Sequence, residues 1–196
     1  METTSTTVRN VHTRRLGASI ERVRPWIEAC WSGGDGDPFP RDVLPTWRKN
    51  PDGVEASALL PGVTVLGHGP FGFRLRSWDG FAWRVDVQRG PRGWHGFDLR
   101  PDGDGCTITH TLELIDDWEG RAVWTAIHPI HDWAVEALFD RMERALETGR
   151  VPATTERPMG RTSAAALAGL RALFWIKRAA RTRRSQSPDH PRAAVS

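Results

Sequence analysis

Tyrosine is absent from the 196-residue chain, and cysteine occurs only twice. Without tyrosine there is no phenol to serve as a proton donor or as a hydroxyl in a pocket wall. Cys30 and Cys106 are far apart and in no metal-ligand spacing, so free, buried thiols are expected rather than a disulfide framework. No apolar run is long enough to span a bilayer. The opening METTSTTVRN is polar and lacks the apolar centre of a signal peptide, so a cytoplasmic protein is expected. Tryptophan, by contrast, is plentiful: ten residues supply large flat apolar surfaces.

Charge of one sign is unevenly distributed. The formal net charge is +3, yet residues 150–196 hold 10 basic and 2 acidic residues, while residues 1–149 hold 17 basic and 22 acidic ones. A basic tail is therefore attached to a mildly acidic body, which argues against nucleic acid as a partner of the body.

Residues 8–16, VRNVHTRRL, read as a strand with poor alternation. Ser19 is placed to cap a helix whose apolar positions are Ile20, Val23, Trp26, Ile27, Cys30 and Trp31. Pro25 is expected to kink that helix or confine it to a short first piece. RDVLPTWRKNPDG suggests a further short helix.

From residue 63 to 114 the period is two. Phe71, Phe73 and Leu75, then Phe81, Trp83, Val85 and Val87, then His95, Phe97 and Leu99, then Ile108, His110, Leu112 and Leu114 alternate with polar or small residues. Such runs joined by short turns predict an antiparallel meander with one apolar face. The loop Trp78-Asp79-Gly80 predicts Ser77 opposite Phe81, hence Leu75 opposite Trp83 and Phe73 opposite Val85, with Arg74 facing Arg84 outside. His95 and His110 share the apolar face, opposite one another or one step off. After Gly120 the pattern turns helical, with a stripe of Ile127, His131, Ala134, Leu138, Met142 and Ala145. Pro129 is best tolerated in a first turn, so the helix is expected to start near His128 and to end at Thr148-Gly149. Asp132 then falls where it can cap the helix.

This order predicts an α+β fold in which a curved antiparallel sheet wraps around a long C-terminal helix, followed by a basic helical tail. Gly67-His68-Gly69-Pro70 opening one strand, Trp94-His95-Gly96-Phe97 in another, His110-Thr111-Leu112-Glu113, and His131-Asp132 leading into AVEALFDRMERAL complete the pattern. Over residues 8–148 the chain resembles the SRPBCC superfamily, also called START-like or helix-grip, and within it bacterial proteins labelled polyketide cyclase/dehydrase. The resemblance implies a cavity between sheet and helix that accepts a hydrophobic small molecule, lipid- or polyketide-like. It departs from the pattern in lacking the glycine-rich loop of the pollen-allergen relatives, and no catalytic residue of a characterised cyclase maps onto it.

The expected cavity residues are His68, Phe71, Phe73, Trp83, His95, Phe97, His110, Leu112, His131 and Leu138. The histidines have two readings. They hydrogen-bond within the wall, to carboxylates such as Asp132 and Glu113, or His95 or His110 moves protons in a cyclase or dehydratase reaction. No metal and no cofactor is expected, because Pro129 interrupts His128-x-x-His131 and neither an HExxH motif nor a Cys/His pair is present. Trp26, Trp31, Trp124 and Trp133 are expected in the core.

The helix-grip domain is expected over residues 1–150. Residues 151–160 read as a linker, about 161–184 as a basic amphipathic helix with Ser163 as its cap, and the remainder as disordered. That helix suits either an anionic membrane surface, which would make the protein a peripheral lipid carrier, or docking on the acidic body.

Overall fold

The computed structural model describes residues 7–32, 36–44, 48–49, 62, 65–68, 71–89 and 91–172. Its elements are β1 (Thr7–Leu16), α1 (Ile20–Ser32), β2 (Arg48–Lys49), β3 (Val65–His68), β4 (Phe71–Trp78), β5 (Ala82–Arg89), β6 (Gly93–Asp102), β7 (Gly105–Ile115) and α2 (Trp118–Thr148). The chain is helical again over 161–172, here α3. The sheet has seven strands in the order β1-β7-β6-β5-β4-β3-β2, every pair antiparallel. It is an α+β helix-grip arrangement. The first strand lies beside the last, and α2 covers the apolar face.

The apolar rows meet α1 and α2 in one cluster, in which Leu75, Trp83, Val85, Ile108, Phe139 and Met142 are fully buried. Cys30 and Cys106 belong to it as free thiols. Gly96 stands where β5 leaves no room for a side chain on β6: a Cβ there would lie 1.9 Å from the Trp83 carbonyl oxygen.

Four local expectations are corrected. In the β4–β5 hairpin the pairs are Leu75↔Val85, Phe73↔Val87 and Trp78↔Trp83, with a register shift between Leu75 and Ser77. For Leu75 and Phe73 the slip from the expected register is two residues, so they keep their face; beyond the shift, next to the loop, it is three. The cause is a loop longer than expected, in which Asp79 Oδ1 accepts from the amides of Phe81 and Ala82 and Gly80 has φ +87°. Arg74 therefore faces Asp86 instead of Arg84, and Arg84 pairs with Asp98 on β6. Pro25 lies within a continuous α1. The region expected as a short helix instead has a turn closed by Leu44 N–H on the Pro40 carbonyl (2.9 Å) and, at Arg48–Lys49, strand β2; residues 45–47 and 50–53 lie outside the described residues.

The fourth correction concerns α2. It begins ten residues before His128, at Trp118, where Asp117 accepts the Gly120 amide at 2.7 Å and fixes the start. Pro129 is thus in the helix interior and Asp132 is no cap. The C-terminus falls at Gly149 (φ +73°), as expected. Pro129 lacks the N–H that the Thr125 carbonyl would accept, and Thr125 is exposed, so water can take that place. A second cluster lies against α2. Phe39, Leu44, Ile130, Trp133, Ala137 and Leu167 pack on its outer side, and Ser163 donates to the Pro129 carbonyl at 2.7 Å.

Candidate functional site

The site begins with the inward row of β6 and β7. His95 and His110 lie on the face that meets α2 and are almost fully buried (6% and 3% exposed). They are one step off: His95 pairs with Leu112 and His110 with Phe97, and His95 Nδ1 lies 3.4 Å from His110 Nε2. His95 meets the rings of Phe73 and Trp83 edge-on, and His110 meets Phe97 in the same way. From α2, His131 brings its ring centroid within 5.2 Å of His110, with Trp124 closing on its other side at 5.5 Å.

The file of imidazoles continues to β1. His12 lies 6.1 Å, centroid to centroid, from His131. Its Nε2 is 3.1 Å from Asp132 Oδ1 and its Nδ1 is 2.8 Å from Glu136 Oε1. Asn10 donates to Asp132 Oδ1 at 3.1 Å, and His128 Nε2 contacts Asp132 Oδ2 at 2.8 Å. Further along, Arg14 reaches Glu136, Asp140 and Glu143, and Arg157 joins Glu136 and Asp140. The middle of the inward row of β1, between Val8 and the buried Leu16, is therefore polar, and it meets a column of acids spaced along one face of α2.

Burial sets the charge states. It pushes the His110 imidazole well below the usual 6.5, and the neighbouring His131, His95 and His12 push in the same direction. Burial also lowers His131, with Asp132 pulling the other way. For Asp132 burial opposes ionisation, but contacts from His131 and His12 and the charge of His128 outweigh it and bring the carboxyl down to about 2. His110 is thus held neutral, and the outer end of the file is anchored on a carboxylate.

Solved structures of similar shape are found. Ara h 8.0201 matches with a TM-score of 0.50 at 11% identity, over 73% of this chain and 99% of its own. Norcoclaurine synthase from Thalictrum flavum gives 0.51 at 15% identity, over 74% and 88%. A protein from Nitrosospira multiformis gives 0.53 at 12% identity, over 72% and 98%. No protein-family model and no curated protein matches the chain. The chain shares the helix-grip fold of these structures. At these identities the likeness concerns the helix-grip fold alone.

Within this helix-grip frame Phe73, Trp83, Phe97 and Leu138 join the main apolar cluster, and Leu112 is buried opposite His95. His95, His110 and His131 come together as described. The side chains of His68 and Phe71 lie outside the described residues. Glu113, expected as a histidine partner, faces away, accepting from Trp94 Nε1 at 2.9 Å and pairing with Arg9. Trp133 packs in the outer cluster and Trp26 against the main one, whereas Trp124 stacks on His128 and His131 rather than in the core. The side chain of Trp31 lies outside the described residues.

Sequence reading missed Asn10, His12 and Glu136. Their signal was the spacing of Asn10, His12 and Arg14 at every second residue, matched by Asp132, Glu136 and Asp140 at every fourth. Spacing within α2 gave no metal site, but β1 supplies a third group from 120 residues away. One ligand atom each from His12, His131 and Asp132 lies within 4.8 Å of the others.

Proposed function

We propose that this helix-grip protein binds a hydrophobic small molecule, lipid- or polyketide-like, between the sheet and α2, at the end where His95, His110, His131 and Trp124 meet. What supports this reading is the make-up of that end: Phe73, Trp83 and Phe97 meet two buried imidazoles edge-on, of which His110 is held neutral. An apolar surface with a few polar groups orients an apolar ligand without carrying charge into its site. One norcoclaurine synthase structure of this fold holds a transition state analogue, so the fold accommodates small organic ligands. The cytoplasmic location expected above is part of the proposal.

Organic extraction of the purified protein, followed by mass spectrometry, is expected to release a copurified apolar compound. A fluorescent apolar probe such as anilinonaphthalene sulfonate is expected to bind saturably and to be displaced by that compound. Phe97→Ala, which removes one aromatic edge, is expected to shift probe affinity about tenfold. No extracted compound together with no saturable binding sinks the reading.

A second reading makes the protein a cyclase or dehydratase with His95 or His110 as acid or base. It is favoured by the 3.4 Å contact between the two rings, which lets one imidazole orient the other's proton. Turnover of an aromatic polyketide that disappears in both His95→Ala and His110→Ala selects it. A peripheral lipid carrier has less support, because over 161–172 the apolar Leu167 is buried against α2. Equal pelleting with anionic vesicles before and after removal of residues 173–196 eliminates that role.

A further inference from the structure

We propose that His12 Nε2, His131 Nδ1 and Asp132 Oδ1 bind a divalent transition-metal ion of the zinc class. The inference stands independently of the ligand reading, because it rests on donor geometry rather than on the apolar wall. Tetrahedral zinc with bonds of about 2.0–2.1 Å separates neighbouring donors by about 3.3 Å. Here His12 Nε2 and Asp132 Oδ1 are 3.1 Å apart, and His131 Nδ1 and Asp132 Oδ1 are 3.7 Å apart. The third separation lies within 4.8 Å, so the set closes on an ion by small side-chain movements.

Two further observations point to an ion rather than to a plain ion-pair network. His131 Nδ1 is buried and stands 3.7 Å from Asp132 Oδ1, beyond a normal hydrogen bond, an arrangement that costs stability unless something draws the two together. His12 faces carboxylate oxygen at both ring nitrogens, which satisfies both only if something positive lies at Nε2 while Nδ1 donates to Glu136. A metal ion at Nε2 meets that need and satisfies His131 as well. A proton on His12 meets only the first.

The surroundings match what a metal site requires. Glu136 on His12 Nδ1 fixes the tautomer that leaves Nε2 free to coordinate. Asn10 occupies one lone pair of Asp132 Oδ1 and His128 holds Oδ2, so the carboxylate keeps its orientation, and the Oδ1 lone pair that faces His12 Nε2 is the one an ion between them would take. Two imidazoles and one carboxylate suit zinc and cobalt better than calcium or magnesium, which take oxygen ligands. The fourth position is left to water or to a ligand atom arriving past His110.

Calorimetric titration of the chelator-treated full chain with zinc chloride is expected to show one equivalent bound with micromolar or tighter affinity. His12→Gln and Asp132→Asn, checked for folding by circular dichroism, are expected each to abolish that binding. Glu136→Gln is expected to weaken it on the order of 10–100-fold. Cobalt-loaded wild type is expected to show the intense visible bands of a four-coordinate ion, and X-ray absorption of the zinc form a shell of nitrogen and oxygen with imidazole scattering and no sulfur. The wild-type spectra decide the matter even if a variant fails to fold. Absence of stoichiometric binding, a six-coordinate cobalt spectrum, sulfur in the shell, or zinc affinity unchanged in folded His12→Gln and Asp132→Asn overturns the proposal.

Discussion

The buried imidazole of His110 makes stability depend on pH in a fixed direction. Its folded value lies well below the ordinary 6.5 because burial disfavours the charge. As pH falls through about 6.5 the unfolded chain takes up this proton and the folded protein resists it, so stability is full above that value and declines below it. Urea denaturation in metal-free buffer is expected to give a falling free energy between neutral pH and pH values below 6, and His110→Leu is expected to flatten that slope. Asp132 acts in a separate window. Its folded carboxyl at about 2, against an ordinary 3.8, contributes stability above 3.8 that is lost as pH approaches 2. His95 and His110 were legible in the sequence because they occupy apolar positions in strongly alternating strands. His12 was not, because the carboxylates that give it meaning lie on α2.

At the scale of elements, β1 and α2 meet through charge where the other strands meet α2 through apolar packing. Arg14, one-quarter exposed, bridges Glu136, Asp140 and Glu143. Arg14→Ala is expected to cost about 1 kcal/mol, measured by chemical denaturation, since partly exposed pairs are screened and only their network gives them weight. Raising the salt concentration is expected to shrink that difference. The same contacts explain why β1 alternated poorly in apolar terms: between Val8 and Leu16 its inward row is Asn10, His12 and Arg14, polar residues facing an acidic column. The register of β4 and β5 was misjudged for a local reason, since an Asp79-centred loop and a shift beside Ser77 cannot be counted from a loop sequence alone. The start of α2 was misjudged for a tertiary one. A helix interior accepts Pro129 because the carbonyl it orphans belongs to Thr125, an exposed residue that water can reach.

On the scale of the whole molecule, α2 is covered on two sides, by the sheet within and by the segment 36–44 with α3 without. Residues 151–160, expected as a linker, are tied down on the way: Thr155 bonds Asp42 through both its amide and its hydroxyl, and Arg157 holds Asp140. Leu167→Glu is expected to release α3, so that amide exchange over 161–172 becomes fast while β5–β7 stay protected; unchanged exchange would contradict the docking. The sequence by itself determined the meander, the face its apolar residues share, the long helix and its end at Gly149, because these follow from periods and turn residues a few positions apart. Tertiary structure alone decided that β1 lies beside β7, that His12 meets His131 and Asp132, and that Leu167 of the segment 161–172 packs against α2. Those contacts join residues far apart in the chain, and their free energy depends on which surfaces meet, which no local pattern encodes.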